Sequence, residues 1–245
     1  MKGLLVRVGA DQSEGGGWWN APADSTTREF AYVPIPESSP IHRGFAKPCS
    51  LIVSTVQRFG VALPDDWAKS NMHLDPDFDY LTYGDIGDPG HRGAQIKNKL
   101  SCGDLLVFYG SFADVNPGPR LIYSIIGLYV IDSVIRAVSI PKSDWNENAH
   151  TRRVLARDAR DIVVRAKPKV SGRLKTYIPI GEYRDRAYRV KRDLLEAWGD
   201  LTVNDGYLQR SARLPAFRDA TKFYKWFENQ HPVLVQSNNH DNRDR

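Results

Sequence analysis

Cysteine is nearly absent from this chain. Cys49 and Cys102 are the only two in 245 residues, and neither has a Cys-x-x-Cys or His-rich context. That spacing excludes a disulfide framework and a structural zinc site of the ribbon type, and makes buried, reduced thiols the expectation. Long apolar runs are missing too. The longest, Leu121–Val138, is broken by Tyr123, Ser124, Asp132 and Arg136, so no membrane span is expected. The opening Met-Lys-Gly-Leu-Leu-Val-Arg-Val-Gly-Ala-Asp turns polar too soon for the apolar core of a signal peptide, and a cytoplasmic location follows as the expectation. A phosphate loop is lacking as well. Gly15-Gly16-Gly17 is followed by two tryptophans rather than by Gly-Lys-Ser/Thr and a helix.

What is present suits a folded α+β domain. The hydrophobic fraction of 41% is enough for a core. Leu4–Val8 reads as a first strand, apolar enough to be central. Leu105–Tyr109 and Leu121–Val138 flank the turn signal Asn116-Pro117-Gly118-Pro119 and read as an antiparallel pair, the second strand long enough to bend near Asp132. Their near-continuous apolarity says that both faces are covered, as in a mostly antiparallel twisted sheet with flanking helices or a partial β-barrel. Ile162–Val164 and Tyr177–Gly181 are further extended segments, and Phe30–Glu37 is extended because of Pro34 and Pro36. Helices are expected over 148–159, over Lys191–Trp198 and within Pro215–Glu228. The reading is one domain over 1–236, helical from about 191, with a disordered polar tail over 237–245.

The distribution of charge is more telling than its size. The formal net charge is only +5, but Arg152, Arg153, Arg157, Arg160, Arg165, Lys167, Lys169, Arg173 and Lys175 cluster against Asp158 and Asp161. Such a run favours a polyanionic partner, a nucleotide or nucleic acid, because cations release phosphate counterions. The competing reading is a plain solvated face.

Polar chemistry concentrates in 71–85, Asn-Met-His-Leu-Asp-Pro-Asp-Phe-Asp-Tyr-Leu-Thr-Tyr-Gly-Asp, within a long connection that continues through Ile86–Gly93. Long connections of this kind are often functional. His73 and Asp75 are two apart, so an extended chain projects them to one side, and Asp77 follows if Pro76 keeps the chain extended. These groups with Asp85 could hold magnesium or manganese, or serve as acid and base without a metal. His73, Asp75, Asp85 and His150 are the candidate catalytic residues. Arg7, Asp11, Tyr83, Arg152 and Arg153 are the candidate nucleotide-binding residues, since arginine forks suit phosphate and an aromatic ring can stack on a base. The competing role for Arg7 is an internal ion pair with Asp11 or Asp85.

Several segments, in order, resemble a family of bacterial and phage proteins, the third of the nucleotide modification associated domain series. They are Leu4–Asp11 with its Gly-Gly, Tyr32–Glu37, His73–Phe78, Thr82–Asp85 and Gly103–Tyr109, then Ala149–Arg153 and Ser171–Leu174. The resemblance spans most of residues 1–185 and implies a part in DNA or nucleotide modification without naming a reaction. The strand pair 103–138 is also similar, at fold level only, to barrels of base-reading and RNA-binding domains. Two functions follow as expectations. An enzyme would act on a nucleotide or base through the His/Asp residues, and a reader would bind a modified base in the same cleft without chemistry. The residues leave the cofactor, any metal and the oligomeric state open.

Overall fold

The computed structural model describes residues 1–12, 19–118, 121–208 and 213–239. The glycines of the Gly15–Trp18 loop lie outside them. In chain order the strands are β1 (Gly3–Arg7), β2 (Pro22–Ala23), β3 (Ile35–Pro36), β4 (Met72–His73), β5 (Thr82–Asp85) and β6 (Leu105–Asp114). Then come β7 (Leu121–Arg136), β8 (Ile162–Ala166), β9 (Gly172–Pro179), β10 (Gly181–Arg184), β11 (Ala187–Val190) and β12 (Leu234–Val235). The α-helices are α1 (Val53–Gln57), α2 (Asp65–Ala68), α3 (Arg92–Lys99), α4 (Ala149–Arg152), α5 (Arg192–Trp198) and α6 (Ala220–Asn229).

The β6–β7 hairpin is the frame. β6 runs antiparallel to β7 from Leu105↔Val130 to Ala113↔Leu121, and on its other edge takes β1 in parallel, Gly3↔Leu105 to Arg7↔Tyr109. The expected bend in β7 is real. Its first half pairs with β9, and beyond an irregularity between Ile131 and Ser133 it pairs with β8, which hands on to β5. The result is an eight-stranded mixed α+β sheet that stays open, so the partial-barrel alternative and the likeness to base-reading barrels are set aside. Most pairings are antiparallel, but β1 and β2 add in parallel to β6.

Alternation along the central strands sends side chains to two cores. Leu4, Val6, Leu106, Phe108, Ile126 and Tyr129 face one; Leu5, Leu105, Val107, Tyr109, Ile125 and Leu128 face the other. The second core is covered by α5 and α6 through Trp198, Leu195, Phe223 and Phe227. Fully burying a side chain of this size contributes roughly 1.5–3 kcal/mol. The aromatic residues of the C-terminal helices therefore serve packing.

Three expectations are corrected. The helix expected over 148–159 is only α4, because Arg153 turns extended and Val154 N donates to Pro40 O. The long connection after residue 71 contains β4, β5 and α3. Cys49 is buried as expected, but Cys102 is exposed. Of the polar end, residues 237–239 are tied to the domain. Phe78 N donates to Asn238 Oδ1, Tyr32 N donates to Asn239 Oδ1, and the buried Arg173 donates to Ser237 O. No helix among the described residues is long and apolar enough to cross a membrane.

Candidate active site

Where β1 ends, the left-handed Gly9 (φ +79°) turns the chain away and opens a cleft. Its walls are Arg7 at the end of β1 and Asp11 beyond it, His73 and Asp75 from β4 and the segment after it, Tyr83, Gly84 and Asp85 from β5, Arg92 from α3, and His150 and Arg153 from α4 and its end. All four candidate catalytic residues line it, as do Arg7, Asp11, Tyr83 and Arg153. Arg152 does not. Its buried guanidinium faces the other way, with Nη1 3.0 Å from Asp77 Oδ2 and bonded to Asn146 O, and Nη2 bonded to Leu74 O. Asp77, fully buried between Arg152 and Asn238, is likewise outside the cleft.

The centre is His73, Asp75 and His150. The short pairing of β3 with β4 aligns Ile35 with His73 and carries Glu37 beside that histidine. Glu37 Oε2 lies 2.8 Å from His73 Nδ1, and Arg153 grips the same carboxylate through Nε and Nη2 at 2.8–3.0 Å. Burial alone would raise the Glu37 pKa, but these bonds outweigh it and hold the carboxyl down at about 2. On the opposite wall, His150 Nδ1 lies 2.5 Å from Asp161 Oδ1. Burial opposes charge on Asp161, yet the bond to His150 holds its pKa below the ordinary value. The carboxylate at each Nδ1 orients its imidazole so that Nε2 is turned to the centre of the cleft. Both point to one atom, Asp75 Oδ2, at 3.9 Å from His73 and 3.6 Å from His150.

Asp75 is held by its other oxygen. Gly84 N donates to Oδ1 at 2.7 Å and Asn148 Nδ2 at 3.2 Å. Asn148 also caps α4, accepting from His150 N at 2.9 Å, so one buried amide sets the positions of both Asp75 and His150. Burial disfavours the Asp75 charge and lifts its pKa to about 7 against the pull of His150 and the Gly84 amide. His73 is shifted the other way. Burial lowers it to about 4 despite the Glu37 bond, so its ring is neutral at pH 7.

The remaining wall is made of ion pairs. Arg7 Nε meets Asp11 at 2.7 Å, the internal pair weighed against a ligand role for Arg7. Asp85 is shared by Tyr83 OH at 2.7 Å and Arg92 Nε at 3.2 Å. Arg92 is the most exposed of the three cleft arginines, its side chain 27% accessible. Of the residues not foreseen, Glu37 and Asn148 adjoin or lie within segments already singled out in the sequence. Arg92 lies within the Ile86–Gly93 part of the long connection, and Asp161 was counted only as charge against the basic run.

Glycine at position 84 is a steric requirement. A Cβ there would sit 2.5 Å from both His150 Cδ2 and Asn148 Oδ1. Gly84→Ala is expected to force α4 from β5 at a cost of about 1–3 kcal/mol, read as a lower melting temperature together with loss of whatever activity the site supports. An unchanged variant in both readouts would show that α4 need not pack this closely.

The basic run over 152–175 is not one face. Arg152 and Arg173 are buried, Arg153 is bound to Glu37, and Arg165 pairs with Glu147 and Asp144. Exposed positive charge gathers instead around a shallow groove lined by His91, Lys97, Lys99, Arg136 and Arg160, across the Ile86–Arg92 segment from the cleft.

A profile of the family described as nucleotide modification associated domain 3 matches residues 2–196, which takes the likeness past β11 and into α5. No curated protein and no solved structure matches the chain.

Proposed function

The chain belongs to the nucleotide modification associated domain 3 family, and from that premise we propose that it is an enzyme of a nucleotide- or base-modification system whose working groups are His73, Asp75 and His150. The observation that carries this reading is the aim of two buried imidazoles, each oriented by its own carboxylate, at one buried aspartate oxygen on a cleft wall. A cleft that merely recognised a base would have no use for a carboxylate kept at the edge of ionisation, since burying such groups costs stability. Arg92, partly exposed at the rim, and Arg7 supply the contacts to a substrate phosphate, and Tyr83 anchors Asp85 rather than stacking on a base. The test is a comparison of modified nucleosides in cells with the wild-type gene and with Asp75→Asn.

The basic groove supports a polynucleotide as substrate. Lys97 and Lys99 lie on the solvent side of α3, whose first residue, Arg92, reaches the cleft, so a strand held in the groove would pass the site. Lys97→Glu with Lys99→Glu is expected to weaken binding of single-stranded DNA and to flatten its salt dependence by roughly one to two charges' worth of slope. Binding that is equally strong and equally salt-sensitive in the double variant would remove the groove from the substrate path.

A further inference from the structure

The centre of the cleft has an unbalanced feature. Three ligand-type atoms, His73 Nε2, His150 Nε2 and Asp75 Oδ2, meet with separations of 3.9 and 3.6 Å about the aspartate oxygen, and neither Nε2 has a hydrogen-bond donor among the described residues. Acceptors do not gather unless a cation or a proton lies between them. Charge around the centre points to the cation. Three arginines, Arg7, Arg92 and Arg153, stand against five carboxylates, Asp11, Glu37, Asp75, Asp85 and Asp161, and every arginine is already matched to a carboxylate of that set. Asp75 is the acid left with no arginine among the described residues, facing the two imidazoles.

We infer that His73, Asp75 and His150 hold one divalent first-row transition ion, of the zinc, manganese or iron(II) class, through their Nε2, Oδ2 and Nε2 atoms. This rests on the reading that the cleft is the working site. The three residues bring one ligand atom each to within 4.8 Å of the others. An ion with bonds of about 2.1 Å sets tetrahedral ligand atoms about 3.4 Å apart. The two spacings to Asp75, 3.9 and 3.6 Å, need a contraction of only a few tenths of an ångström, and the two imidazole nitrogens, within 4.8 Å of each other, close onto the ion by small ring rotations. Two imidazole nitrogens with one carboxylate suit a transition ion better than magnesium, which prefers oxygen and octahedral geometry. The outer shell is already in place. Glu37 and Asp161 each accept from a ligand histidine's Nδ1, which fixes the tautomer and strengthens the donor nitrogen. Gly84 N and Asn148 hold the aspartate's second oxygen out of the way, so that it offers the ion a single atom. Three protein ligands leave coordination positions open to the cleft, where water or a substrate oxygen would sit. The outer carboxylates separate this site from a chance cluster: a merely structural histidine pair would gain nothing from two further buried charges.

The experiment is titration of the full chain, stripped with chelator and dialysed, with Co²⁺ followed by its visible absorption, and with Zn²⁺ in competition. The expected result is one equivalent bound, resistant to a large excess of Mg²⁺. His73→Ala and Asp75→Asn should weaken it by about 100-fold or more, and Glu37→Gln by about 10–100-fold with the melting temperature of the stripped protein preserved. Absence of Co²⁺ and Zn²⁺ binding by the folded wild-type chain overturns the inference, as does binding that is unchanged in both Asp75→Asn and Glu37→Gln. The proposed function fails separately. If the ion binds and Asp75→Asn leaves nucleosides unaltered, the metal site stands and the enzymatic reading falls. If no ion binds and the nucleoside change still requires Asp75, the reverse holds.

Discussion

Asp75→Asn is expected to abolish the modification this protein performs, by at least about 100-fold, while the metal-free variant melts at or above the wild-type temperature. The amide keeps an oxygen for Gly84 N and Asn148 Nδ2, so the loop geometry is retained. What it removes is a charge that the fold keeps in a site where the side chain is 4% accessible and burial strongly opposes ionisation. Without its ion, the native centre is therefore a source of instability, and neutralising it relieves the chain. The amide also turns an N–H₂ group toward the two imidazole Nε2 atoms, filling the place a cation would take but without its chemistry. Loss of function with a gain in stability is the signature of a working residue. A variant that unfolds would instead give Asp75 a structural role, and a fully active one would remove it from the site.

The largest effect on stability is expected outside the cleft. Arg152→Ala leaves Asp77, which has no solvent exposure, without the one arginine that pairs with it among the described residues. Breaking one side of a buried pair costs about 3–5 kcal/mol, which for a chain of this size lowers the melting temperature on the order of 10 °C. Burial already raises the Asp77 pKa against the pull of Arg152, so the variant is expected to be weakest where Asp77 must stay ionised and to recover part of the loss in mild acid. The sign follows from the raised folded pKa: losing the arginine raises it further, and protonation then favours the folded state. Arg152 also bonds Leu74 O, between His73 and Asp75, so activity should fall with stability. A loss below about 1 kcal/mol would contradict the buried pairing. Arg152 thus holds in place the two segments that carry the site rather than contacting a phosphate.

How much of this was legible in the sequence depends on the range of the interaction. The hairpin of Leu105–Asp114 and Leu121–Arg136 shows as apolar runs around a turn signal, and its bend near Asp132 shows as polarity inside such a run. The shared side of His73 and Asp75 follows from the two-residue period of an extended chain, and the two side chains come within 3.9 Å. Asp77 breaks the pattern because it bridges Thr82 across a tight return and faces Arg152 instead. The basic run failed as a surface because its partners are remote: Arg153 meets Glu37 across 116 residues and Arg152 meets Asp77 across 75. A one-dimensional charge count cannot see such pairs. Glu37, 36 residues from His73, and Asp161, 11 from His150, were hidden in the same way, because only the fold sets these carboxylates against the histidines they orient. Helix α3 was missed because its start follows a Gly- and Pro-rich stretch, and Gly93 is needed there to let the helix approach the backbone of Asp85 and Ile86.

The most direct test of the central claim is mass spectrometry of nucleosides from the DNA, RNA and free nucleotide pool of cells lacking this gene, complemented with the wild type or with Asp75→Asn. A nucleoside whose abundance changes with the wild-type gene and not with the Asp75→Asn allele is the predicted result. Identical profiles for the two alleles, with both proteins folded and equally abundant, would contradict it.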